Sequence, residues 1–222
     1  DDCTNGTYDI TDDGEYLLLY VWEGTRNEGL TYYKRLNSAE SFKPLISDWI
    51  GSFSVIGNDS TIFYVSTDYN APRNKVIKID LENPQIENWV DIIPHTEYNL
   101  RSVQMVNNEF ICIYNRDIVD NMEIYTLDGK FRKEVQLPGL GTSGGISAER
   151  EDSEMFFSFT SYLYPGSVFQ YDFVNFSICK NDIYTPFASI KDGFYDETFT
   201  VVECDCGFCY LNPRPRLEEM PK

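Results

Sequence analysis

Among its 222 residues this chain has one histidine, His95, and only 18 Lys and Arg against 36 Asp and Glu. Each scarcity excludes something. A formal net charge of −18 argues against nucleic acid, whose phosphates need basic patches, and against anionic membrane surfaces; its plain consequence is solubility. The longest apolar runs reach about a third of a membrane span. The chain starts at Asp1 with neither an initiator Met nor an apolar signal core, and is expected to be a fragment. No segment has a convincing helical period. Six Cys are present but form no disulfide framework: Cys3, Cys112 and Cys179 are scattered, and Cys112 lies inside an apolar run, where a thiol serves as a small core hydrophobe.

What is present is repetition. The runs beginning at Tyr16, Thr61, Phe110 and Met155 start 45, 49 and 45 residues apart. A second series, Leu30–Leu36, Lys75–Leu81, Met122–Asp128 and Ser167–Phe173, keeps nearly the same spacing. One supersecondary unit repeated at this length indicates propeller blades of four short strands. First strands are expected near Tyr8–Thr11, Phe53–Ile56, Ser102–Val106 and Gly144–Ser147. Fourth strands are expected at Phe42–Ile46, Trp89–Ile93, Glu134–Leu137 and Phe176–Cys179. Turns rich in Asp, Asn and Gly separate the first two strands of each unit. The second strand is apolar at nearly every position, so both its faces are expected to be buried. Sheets stacked face to face around an axis meet that demand. A sandwich meets it less well, because it leaves one face of each sheet wet.

The expected organisation is β-propeller blades over 1–180 (about 7–48, 53–94, 101–138 and 144–180), a linking segment over 181–203, and an irregular, Pro-rich tail over 204–222. The fold class is all-β: about four four-stranded blades, as a partial open arc or a compact four-blade unit.

Four motifs invite a chemical reading. Gly141-Thr142-Ser143-Gly144-Gly145 matches the nucleophile-elbow pattern, but an elbow needs a strand, a helix and then a downstream His. His95 lies upstream, so the stretch reads as a Gly-rich entry into the fourth unit. His95 itself follows Pro94 and reads as a loop residue. Cys204, Cys206 and Cys209 could offer three thiolates to zinc, but a structural site wants four ligands, which only Cys179 or Cys3 could complete. Asp9 to Gly14 faintly suggests a calcium loop, yet Tyr20 stands where Glu is required; a turn is the simpler reading. The sequons at Asn5, Asn58 and Asn175 are of a kind that an Asn-rich chain supplies by chance. No metal or cofactor site is expected.

Several stretches resemble the prolyl oligopeptidase family: Asp12 to Leu19, Ser66 to Pro72, Lys78 to Leu81 and, most specifically, Glu154 to Val168. The resemblance covers about Tyr8 to Asn175, with a fainter echo from Pro186 to Val202. It implies a seven-bladed propeller capping an α/β-hydrolase domain, in a cytoplasmic serine endopeptidase that cuts short peptides after proline. The propeller would restrict access to the buried site. This chain matches only the later four blades or so, and the stretch from Cys204 replaces the start of the hydrolase sheet. The nucleophile, acid and histidine would all belong to that domain, so no catalytic residue is carried over and the chain alone is expected to be inactive. The alternative is a non-enzymatic propeller that binds a peptide or protein partner. A secreted carbohydrate-binding propeller, suggested by the sequons and aromatics, would require glycan at Asn5 or Asn58.

Overall fold

The second strands set the pattern, because residues apolar on both sides must be covered on both sides. The computed structural model describes residues 4–162, 166–181, 200–203 and 209–212. The first sheet is a meander of β1 (Thr4–Ile10), β2 (Tyr16–Glu23), β3 (Gly29–Arg35) and β4 (Lys43–Ile46). The second contains β5 (Phe53–Asp59), β6 (Ile62–Thr67), β7 (Lys75–Asp80) and β8 (Val90–Ile93). The third contains β9 (Asn99–Val106), β10 (Glu109–Arg116), β11 (Val119–Thr126) and β12 (Phe131–Val135). The fourth contains β13 (Thr142–Ser147), β14 (Glu154–Thr160), β15 (Ser167–Asp172) and β16 (Ser177–Asn181). A separate hairpin pairs β17 (Thr200–Glu203) with β18 (Cys209–Asn212). Among the described residues the one helical element is a 3₁₀ turn, Ile86–Asn88. The four repeated four-stranded antiparallel sheets are those the sequence period predicts.

The edges of the units differ from expectation for local reasons. β1 starts at Thr4, because its pairing runs from Thr4 opposite Glu23 to Ile10 opposite Leu17; the polar Thr-Asn-Gly-Thr stretch hides it. β8 begins after Trp89, whose indole N–H turns back to donate to the Pro84 carbonyl at 2.9 Å. β12 lies earlier than Glu134–Leu137, and Phe131 sets its ring 5.7 Å from that of Tyr125. β16 starts after Phe176, which adopts a φ of 54° in the turn and so cannot open a strand. Residues 209–212, read as part of an irregular tail, form β18. Of the linking segment expected over 181–203, Asn181 ends β16 and Thr200–Glu203 form β17, while 182–199 and the remaining tail positions lie outside the described residues.

The chain divides into two compact units: residues 1–137 with 149–151, and 138–148 with 152–222. In the first unit the sheets meet through their apolar faces. Tyr16, Leu18, Tyr33, Leu45 and Ile46 pack with Phe53, Phe63, Val65, Ile77 and Ile79. The Phe63 ring meets Tyr16 edge-on at 5.1 Å and Tyr33 at 6.0 Å, geometry that adds to simple burial. At the next seam Tyr64, Val76 and Ile93 pack with Leu100, Met105, Phe110, Cys112 and Tyr114. Thus β6 sends Phe63 and Val65 to the first sheet and Tyr64 to the third. Gly57 leaves room for this packing, since a Cβ there would stand 2.6 Å from the Met105 sulfur and force that side chain to shift. Cys112 is wholly buried, and burial, with the nearby Glu123 charge, raises its thiol pKa. The far face of the first sheet is different. Leu17 and Leu19, which hold the places of Phe63 and Val65, are only half-buried, and their cross-strand partners Ile10 and Tyr8 are 50% and 66% exposed.

In the second unit the fourth sheet buries Met155, Phe157 and Phe159 of β14 and Phe169 and Tyr171 of β15. The Phe157 and Phe169 rings stack at 5.8 Å across the ladder.

Two tyrosines add polar links to the first unit. The Val55 N–H donates to the Tyr20 hydroxyl at 3.2 Å, joining the first two sheets, and the Tyr64 hydroxyl donates to Asp59 at 3.0 Å. Burial pushes both phenols up to about 12; the Asp59 carboxylate adds to the rise at Tyr64. A raised folded-state value means that the stabilisation is complete below the ordinary value of 10.0 and is lost as pH climbs from there toward 12.

Two outcomes follow. Phe63→Ala should cost about 3–5 kcal/mol in urea unfolding, and Leu17→Ala no more than about half of that; equal costs would contradict the asymmetric burial. Ultraviolet titration of the folded protein should show tyrosines that ionise near 12, with unfolding free energy falling between pH 10 and 12. Titration of every tyrosine near 10 would contradict it.

Candidate functional site

The structure disperses the sequence motifs. Ser143 is the second residue of β13, fully buried and paired opposite Phe159; no strand-to-helix turn presents it. His95 is exposed on the loop between β8 and β9. Cys209 opens β18, while Cys204 and Cys206 lie outside the described residues, among which no cluster of three or more metal-ligating side chains occurs. Cys179, read as an isolated thiol, is disulfide-bonded; its spacing from other cysteines carries no sign of this.

The suspected calcium loop is the turn between β1 and β2, and its acid is already occupied. Asp13 accepts from the Thr11 hydroxyl at 2.7 Å, the Glu15 N–H at 3.0 Å and the Asn58 amide at 2.6 Å. Burial would raise the Asp13 pKa, but these donors and the Arg150 charge more than offset it and hold the carboxyl below its ordinary range. Asn58 donates as well to the Ser60 carbonyl at 3.1 Å and is almost completely buried. A glycan at this sequon is incompatible with the fold.

Asp13 and Asn58 open a polar network at the end of the first unit where the first and second strands of each sheet turn. Arg150 completes it. Its guanidinium donates to the Asn58 carbonyl, to the Asp59 carboxylate and, at 2.8 Å through Nε, to the Asn108 side chain. Its own carbonyl accepts from the Asn108 N–H at 3.0 Å. Asn107 and Asn108 both take φ of 53°, a conformation Asn tolerates.

At the opposite end Asp68 is the hub. It accepts from the Asn27 amide and from the Ser52 N–H, each at 2.7 Å, so the turns of the first two sheets meet there. A Cβ at Gly51 would stand 2.7 Å from the Asp68 carboxylate, so a larger residue there would displace the hub. The Phe53, Tyr69 and Trp89 rings pack mutually beside it. Arg26 lies 5.5 Å over the part-exposed Trp49, and Arg116 lies 4.6 Å over Tyr98 while pairing with Glu123. Arg101 pairs with the buried Asp120 at 2.6 Å. Each of these acids is matched to donors of the protein itself. Such groups fix turns and sheet edges; they form no nucleophile–base–acid arrangement. Sequence reasoning passed over Asp68 and Arg150, because each sits in a polar turn that resembles any other.

The comparisons with known proteins agree with this geometry. The family profile for the N-terminal beta-propeller domain of prolyl oligopeptidase matches residues 1–178. A prolyl endopeptidase of Elizabethkingia miricola is 31% identical over 162 residues, covering 73% of this chain and 23% of the relative. A dual function macrocyclase-peptidase of Galerina marginata is 29% identical over 178 residues, covering 74% and 23%. The chain therefore spans about a quarter of the length of these relatives. Among solved structures, one from a study of two prolyl endopeptidases superposes with a TM-score of 0.74 at 28% identity over 80% of this chain and 26% of that one. Prolyl oligopeptidase B of Galerina marginata, without ligand, gives 0.72 at 25% over 93% and 30%. Repeated four-stranded sheets, second strands buried on both faces in the second and third of them, and this match across most of the chain place the protein in the prolyl oligopeptidase family, within its N-terminal β-propeller domain.

Proposed function

We propose that this chain supplies later blades of the propeller of a serine endopeptidase that hydrolyses short peptides after proline, and that the propeller restricts which substrates reach the catalytic centre. The observation that carries this reading is the profile match over 1–178 together with the fold it describes. The relatives are peptidases by name, and a structure of the Galerina marginata enzyme holds a 35mer hydrolysis and macrocyclization substrate. The partners of this chain are then short proline-containing peptides and an α/β-hydrolase domain, and its location is cytoplasmic. The charge of −18 disfavours nucleic acid and anionic membrane as further partners.

The chemistry in this reading belongs to the hydrolase domain. A Ser–His–Asp triad transfers the acyl group, while stacked sheets screen the route to it. The named acids and arginines of the described residues hold the blades, so the chain by itself is inactive. A second reading, a non-enzymatic propeller that binds a protein partner, draws on the half-open face formed by Tyr8, Ile10, Leu17 and Leu19, since apolar faces of that kind favour association.

The purified chain should release no fluorophore from a glycyl-prolyl fluorogenic peptide and should take no label from a fluorophosphonate serine probe. Turnover accompanied by labelling of a serine would contradict the proposal.

A further inference from the structure

The second and third sheets are held together differently at their two ends. At the end near Asp68 the ties include main-chain groups of both sheets. The Leu100 N–H donates to the Arg73 carbonyl at 2.9 Å, the Asn74 amide donates to the Leu100 carbonyl at 2.9 Å, and the Arg73 guanidinium donates to the Glu97 carbonyl. At the other end the last residues of β5, Asn58 and Asp59, and the turn at residues 107–108 are bridged by a residue from elsewhere in the chain, Arg150. It reaches the second sheet through the Asn58 carbonyl and Asp59, and the third through both the side chain and the N–H of Asn108. Its side chain is 19% exposed, so the guanidinium is largely withdrawn from water. A charge in that position depends on its partners, and its partners depend on it.

The chain around Arg150 is built to bring in a short piece. Residues 149–151 cluster with the first unit, whereas 138–148 and 152 onward belong to the second. Just before this piece the pairing of β13 with β14 shifts register between Gly144 and Ser147, and Gly145 takes a φ of 57°. A bulge with adjacent glycines gives the backbone a place to bend.

We propose that residues 149–151 form a strap across the seam between the second and third sheets, with Arg150 as its pin and the Arg73–Leu100 ties as the fixed hinge. When the pin is withdrawn, the seam opens at the hairpin-turn end and stays closed at the other. The strap leaves as a unit, because the side chain and the main-chain carbonyl of one residue hold the same turn.

Amide hydrogen exchange tests this on the whole chain. In Arg150→Ala the Asn108 amide, whose partner is the Arg150 carbonyl, and the amides of residues 58–61 should exchange at least about tenfold faster, which corresponds to about 1.4 kcal/mol of local stability. The Leu100 amide should keep its wild-type rate. Arg150→Lys retains a charge but loses the planar fork that spans acceptors on both turns, and should fall between the two. If the Asn108 amide keeps its protection in Arg150→Ala, the residue is a surface contact and not a pin. If Leu100 accelerates equally, the seam has no hinge. Should the variant fail to fold, the wild-type protein serves: in mild urea, exchange should accelerate at Asn108 at lower denaturant than at Leu100. Identical responses at the two amides would overturn the proposal.

Discussion

A strand that is apolar on both sides has no stable place on the surface of a lone sheet. That constraint organises this protein. Phe63 and Tyr64 are neighbours in sequence and point to opposite faces of β6, one against Tyr16 and Tyr33, the other against Phe110. Burying each such ring contributes about 1.5–3 kcal/mol, and no single sheet can supply both covers. The unit of stability is therefore the pair of sheets and the seam between them. The half-open face carrying Leu17 and Leu19 shows the same constraint from the other side, since the equivalent positions in the next sheet, Phe63 and Val65, are sealed.

Polar groups then decide how the stacked sheets are held at their ends. Asp68 joins the first two sheets at one end, Asp13 with Asn58 joins them at the other, and Arg150 carries the second network on to the third sheet. These bonds form where turns converge and water is partly excluded, so leaving one partner unmatched would cost more than the bond itself contributes. The apolar seams form the frame, and the second and third sheets are tied through main-chain groups at one end and through the Arg150 guanidinium at the other.

Most of the architecture was legible because the apolar second strands recur at an almost constant interval. In β6 and β10 these apolar residues are buried on both faces, as their pattern predicts, whereas β2 and β14 are sealed on one face only. The outer strands were less legible. Arg132 and Lys133 of β12 lie before the strand expected at Glu134–Leu137, because an edge strand carries little apolar surface to mark its start, and Phe176 closed a strand start through a backbone angle that composition does not show. The end networks were hardly legible at all. Asp13, Asp68 and Arg150 stand in polar turns, and what distinguishes them is contact with residues 45, 41 and 92 positions away. Asn58 illustrates the converse. Its sequon is clear in sequence, yet its amide is shut between Asp13 and Ser60. Ser143 likewise matches a catalytic pattern while lying inside a strand.

The most direct test of face-to-face stacking is a pair of double-mutant cycles through β6, one for Phe63 with Tyr16 and one for Tyr64 with Phe110. Stacked sheets predict a favourable coupling of about 0.5–1.5 kcal/mol in each cycle. Coupling in one cycle and none in the other would mean that one face of β6 is open to water, and the account of the fold would be wrong.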